Sequence, residues 1–99
     1  MNIRFEESFI NSLALKLEYI AKDSPHAAKK FKNELFVSCK DILHMPYKHR
    51  KSIYHEDENI RDLVFKGYTV VYMIEDEIIS VFALIYHEKY SYTTNTETN

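Results

Sequence analysis

Ninety-nine residues, 45% hydrophobic and 28% charged, are the make-up of one globular domain. A formal charge of −2 argues against a chain that lives on nucleic acid, where surplus lysine and arginine make the phosphate contacts. The single cysteine excludes an internal disulfide, and no uncharged apolar run reaches the ~18 residues of a membrane span.

The N-terminus carries Glu6 and Glu7 where a signal peptide has its apolar core, so a cytoplasmic location is expected. Within it, Ile3 and Phe5 alternate with Asn2, Arg4 and Glu6, the period of a half-buried strand. From about Ser8 the period changes. Phe9, Ile10, Leu13, Leu17, Ile20 and Ala21 form one stripe of an amphipathic helix. In "KDSPHAAKKF", Ser24 suits an N-cap and Pro25 the first helical position, so a second helix starts at once. Its inner stripe is Ala28, Phe31, Leu35, Cys39 and Ile42, and Pro46 ends it near residues 43–45. Cys39, on that stripe, reads as a buried small hydrophobe.

The remainder reads as strands. A polar interruption (His55 to Asn59) precedes "IRDLVF"; Gly67 marks a tight turn, and "EDE" joins "YTVVYMI" to "IISVFALIY" as a hairpin. Val70, Tyr72 and Ile74 point one way and Val71 and Met73 the other, so these strands are central, with helices on one face and a cover needed on the other. Tyr68 and Tyr72 are expected to pack on the sheet with their hydroxyls at an edge. The order is β-α-α-β-β-β: an α+β domain of residues 1–90, with a helical hairpin on a twisted, mainly antiparallel sheet, then a polar, flexible tail at 91–99.

Order and wording together resemble the RelE/ParE superfamily, the toxins of bacterial type II toxin–antitoxin pairs. The resemblance rests on "DSPHAAKKF" and on "IRDLVFKGYTVVYMI" followed by a β-run, and spans about residues 3 to 90. It implies growth arrest, relieved by a cognate antitoxin whose C-terminal segment covers the open sheet face. No cofactor is implied, and no direct DNA binding without the antitoxin. RelE-like members cut messenger RNA in the ribosomal A site; ParE-like members poison DNA gyrase. The "DSPHAA" helix and "YTVVY" strand resemble the ParE side. Departures concern arginines common in the family: Lys66 precedes Gly67, Thr69 follows Tyr68, and "HEKY" (His87 to Tyr90) stands where ParE-like chains often read His-Gly-x-Arg.

Metal-free RNA cleavage needs a base, an acid and cations for the phosphorane charge. If the chain is an RNase, Arg61, His87, Lys89 and Tyr90 are the candidates, although Glu88 among them would repel a phosphate. The concentrated positive charge lies in "HMPYKHRKSIYH", where Tyr47, Lys48, His49, Arg50, Lys51 and Tyr54 are candidates for binding a target or the antitoxin. The histidines lack metal-ligand spacing, so no metal site is expected. The expected function is a ParE-like gyrase inhibitor. The alternatives are an mRNA interferase and a non-toxic remnant that only binds antitoxin.

Overall fold

A computed structural model describes residues 1–87; the expected tail and the strand-end candidates Lys89 and Tyr90 lie outside the described residues. The elements are β1 (Asn2–Phe5), α1 (Glu7–Asp23), α2 (Pro25–His44), a 3₁₀ turn (Pro46–Lys48), β2 (Arg50–Lys51), β3 (Ile60–Phe65), β4 (Tyr68–Glu75) and β5 (Ile78–Tyr86). The expected order stands, with the two-residue β2 added to it. Among the described residues no helix is long and apolar enough to cross a membrane.

Ser24 alone separates the helices. Its N–H donates to Ile20 O at 3.1 Å, closing α1, while its hydroxyl accepts from the Ala27 N–H at 3.0 Å, opening α2. One residue thus caps both helices, and Pro25 at the first position of α2 gives up no helical hydrogen bond. The inner stripe of α2 is as the spacing predicts: Ala28, Leu35, Cys39 and Ile42 are buried and Phe31 half-buried. Burial pushes the Cys39 thiol up to about 12, so it is an un-ionised core residue at neutral pH. On α1, Phe9 and Leu13 are buried, but Ile10 is 42% exposed. It follows Phe9 by about 100° around the helix, beyond the width that the sheet covers.

The sheet order is β1-β5-β4-β3-β2, parallel between β1 and β5 and antiparallel elsewhere. Leu63, Phe65, Val70, Tyr72, Ile74, Ile79 and Val81 meet the helices in one core, which Ile3, Phe5 and Leu84 flank. Strict alternation along β5 would turn Leu84 away from Val81. A bulge corrects this: Val71 pairs with Ala83 and Tyr72 with Val81, leaving Phe82 as the extra residue.

Lys66 (φ 46°) and Gly67 (φ 80°) are the two central residues of the β3–β4 turn, and both have positive φ, as hairpin twist requires. A Cβ on Gly67 would meet nothing within 4 Å, so the cost of Gly67→Ala is purely conformational, about 1 kcal/mol. Thermal unfolding should show that loss with no change in fold.

Candidate functional site

The loop candidates start where Pro46 stops α2. Tyr47 and Lys48 lie in the 3₁₀ turn, His49 follows it, and Arg50 and Lys51 form β2 beside β3. Tyr72 fixes the start of this segment from below. It is fully buried on central strand β4, and its hydroxyl donates to Pro46 O at 2.6 Å, so the expectation of an edge hydroxyl does not hold. The acceptor is the carbonyl of Pro46 itself, in the 3₁₀ turn that follows the helix. Burial raises the Tyr72 pKa, which keeps the phenol a donor. Tyr72→Phe should cost about 1 kcal/mol in urea unfolding and leave the sheet intact.

Arg61 ties down the next residues. Its Nε donates to Glu58 O at 2.9 Å, and one terminal nitrogen donates to His49 O at 3.1 Å and Tyr47 O at 3.4 Å. The guanidinium carbon lies 4.9 Å from the Tyr47 ring centroid, while the Tyr47 hydroxyl donates to Asn59 Oδ1 at 2.8 Å. Lys48 pairs with Asp41 at 2.8 Å across a half-exposed surface. His49 sits edge-on to Tyr72, 6.2 Å between centroids. Its Nε2 is buried with no hydrogen-bond partner, 3.7 Å from Asp41 Oδ2. Desolvation lowers the His49 pKa despite that carboxylate, so the ring is a neutral packing group at pH 7.

On the other face of the sheet, Asp62 stands opposite Arg50. Its side chain is 0% exposed; Oδ2 accepts from the Ile53 N–H at 3.1 Å and from Arg50 at 3.2 and 3.3 Å. The segment from Ser52 to Asn59 is thereby drawn across the helix-free face, with the His55 ring edge-on to Phe82 at 5.6 Å. Part of the cover this face needs is therefore the chain itself. Near the start of the segment the Tyr54 hydroxyl lies 3.4 Å from His87 Nε2, which is also 2.7 Å from Thr69 Oγ1. The His87 N–H donates to Gly67 O at 2.8 Å.

The structure thus joins Tyr54 of the loop to His87 of the strand end, and it separates His87 from Arg61. Arg61 is paired with core-facing Tyr72, whereas Thr69, paired with Val64, faces away from the helices. Lys51 is exposed on β2 and makes no ion pair among the described residues. Among those residues no cluster of His, Cys, Asp or Glu is arranged to hold a metal. Asp62, Asn59 and Thr69 did not stand out by residue pattern. Only Asp62 left a signal, a carboxylate inside a strand whose other residues, Arg61 apart, are apolar.

Fold and site together define a small α+β domain in which polar side chains knit a surface segment onto the helix-free face of a sheet. The chain belongs to the family of ParE toxins of type II toxin–antitoxin systems: the family model for the ParE toxin of parDE matches residues 3–90. A chain of a chromosomal ParDE toxin–antitoxin system from P. aeruginosa shares the fold, with a TM-score of 0.75 at 15% identity, over 89% of this chain and 97% of that one. No curated protein matches in sequence. The protein is a toxin of the type II class.

Proposed function

We propose that residues 1–90 form the toxin domain and arrest growth by binding DNA gyrase in the cytoplasm, with no chemical step of their own, until a cognate antitoxin neutralises them. The observation that carries this reading is the position of Arg61. It lies on the opposite face of the sheet from His87, and its Nε and one terminal nitrogen are held by the Glu58, His49 and Tyr47 carbonyls. A guanidinium so held cannot share one phosphate with that imidazole, as an acid–base and cation pair must. Membership of the ParE family supports the same target. The antitoxin would cover what the Ser52–Asn59 segment leaves open on the helix-free face, where Val64 is exposed.

Tightly induced expression, following thymidine and methionine incorporation separately, tests the reading. DNA synthesis should fall first, with an SOS response, and purified toxin should inhibit supercoiling by gyrase. His87→Gln should leave the arrest within twofold of the parent. A second reading is carried by the 2.7 Å approach of His87 Nε2 to Thr69 Oγ1, with Tyr54 beside them: an imidazole held at the end of a strand for acid–base work on RNA. In that case translation stops first, messages are cut, and His87→Gln abolishes the cutting.

A further inference from the structure

The positive charge that the sequence concentrates between His44 and His55 is largely spent in the fold. Lys48 is neutralised by Asp41, and Arg50 by Asp62. Helix α2 shows the opposite balance. It carries Lys29, Lys30, Lys32 and Lys40 against only two carboxylates, Glu34 and Asp41. Both carboxylates are taken by lysines from other elements: Glu34 by Lys66 of the β3–β4 turn, and Asp41 by Lys48 of the 3₁₀ turn. Those hydrogen bonds also hold both carboxyls below the usual carboxylate range, so they stay ionised and paired. The four α2 lysines have no carboxylate partner among the described residues, Lys30 adding only a longer-range pull on Glu34.

The geometry of the helix arranges this charge. His26, Lys29, Lys30, Asn33, Val37 and Lys40 recur three and four apart opposite the buried stripe, and all are exposed. We infer that this outward face of α2 is a docking surface for the phosphate backbone of duplex DNA, used by the toxin directly. Three features favour a phosphate backbone over a protein. The cations are lysines, suited to phosphates as point charges. Val37 is the only large apolar side chain on the stripe, so the aromatic or arginine anchors of a protein interface are missing there. And the charge is spread along the axis. Lys29 and Lys30 stand roughly 15 Å from Lys40 at 1.5 Å per residue. That is close to the ~12 Å major groove of B-form DNA, so a helix laid across it meets a backbone at each end. The major groove of A-form RNA is too narrow for the same placement. Asp23, just before α2, limits the surface at its N-terminal end, where Lys22 offsets it.

This departs from the expectation, implied by the family resemblance, of no direct DNA binding without the antitoxin, and it does not depend on which target the toxin has. The test is fluorescence anisotropy of a labelled 20-base-pair DNA with the full chain made by cell-free translation, free of antitoxin. Parallel titrations use an RNA duplex of the same length and poly-glutamate. Binding in the range of about 1–100 µM at 50 mM salt is expected, with a slope of log K against log salt near −3 for about three phosphates. K29Q/K30Q/K40Q should weaken it at least ~20-fold and flatten the slope, whereas Lys16→Gln, on α1, should change it less than twofold. Because the three lysines are exposed, circular dichroism should show an unchanged fold. The inference is overturned by any of four results: no DNA binding at 50 mM salt, equal loss in Lys16→Gln, equal affinity for duplex RNA, or a preference for poly-glutamate that the triple variant removes.

Discussion

Arg61→Ala should lower stability by about 2 kcal/mol, and Arg61→Lys should recover less than half of that. The guanidinium donates to three backbone carbonyls, those of Glu58, His49 and Tyr47, and lies against the Tyr47 ring. Charge-assisted hydrogen bonds are individually worth up to a few kcal/mol, but partial exposure of this site limits the sum. Lysine keeps the charge and loses the planar fork, so it cannot reach the Glu58 carbonyl and those of Tyr47 and His49 at once. Urea unfolding with an unchanged m-value measures the loss, and hydrogen exchange at residues 47–51 should locate it. The lysine variant separates two roles. If Arg61 served as a cation for chemistry, lysine would restore function with or without the fold contacts. If Arg61 is a clasp, toxicity should fall in both variants in step with the population that keeps the segment folded. Wild-type stability in Arg61→Lys would remove the clasp.

The parts of this molecule legible in the sequence are those set by local rules. Ser24 and Pro25 announce the junction of the helices because a cap and a prolyl first turn need only neighbouring atoms. The stripe from Ala28 to Ile42 is legible because one continuous surface covers it. What was not legible is non-local. Leu84 follows the core despite its position because of a bulge at Phe82, and nothing in "IISVFALIY" fixes where a bulge falls. The parallel pairing of β1 with β5 joins residues more than seventy apart. The site suffers most from this. The basic look of "KHRK" predicts a charged surface, yet Asp41 and Asp62 answer Lys48 and Arg50, and Glu34 meets Lys66 from 32 residues away. Counting charges along the chain therefore could not show that, among the described residues, Lys48 and Arg50 are paired while Lys51 is not. Likewise, Arg61 and His87 could be imagined together only until the register placed them on opposite faces of the sheet.

Asp62→Ala should be the most damaging of the polar substitutions, costing about 3 kcal/mol and releasing the segment from Ser52 to Asn59 from the helix-free face. Among the described residues the carboxylate is the only side chain that holds the Ile53 N–H, and it binds Arg50 through two nitrogens. Removing it leaves that amide unpaired and a cavity at a fully buried position. The guanidinium is 45% exposed and can return to water, which keeps the cost below that of a fully buried ion pair. Asp62→Asn is the informative companion. It retains an oxygen for Ile53 but surrenders the charge that faces Arg50, and its amide nitrogen must sit where Oδ1 now has no partner. A loss of about 1–2 kcal/mol is expected, between the parent and Ala. An Asn variant as stable as the parent would mean that burying the charge costs as much as Arg50 returns, and that Asp62 acts only as an acceptor for the loop. The functional consequence follows from the same geometry. Tyr54 reaches His87 only while its segment lies on the sheet, so Asp62→Ala should also part that pair. The expected sign is an imidazole chemical shift at His87 that moves in the Ala variant and stays put in Asn.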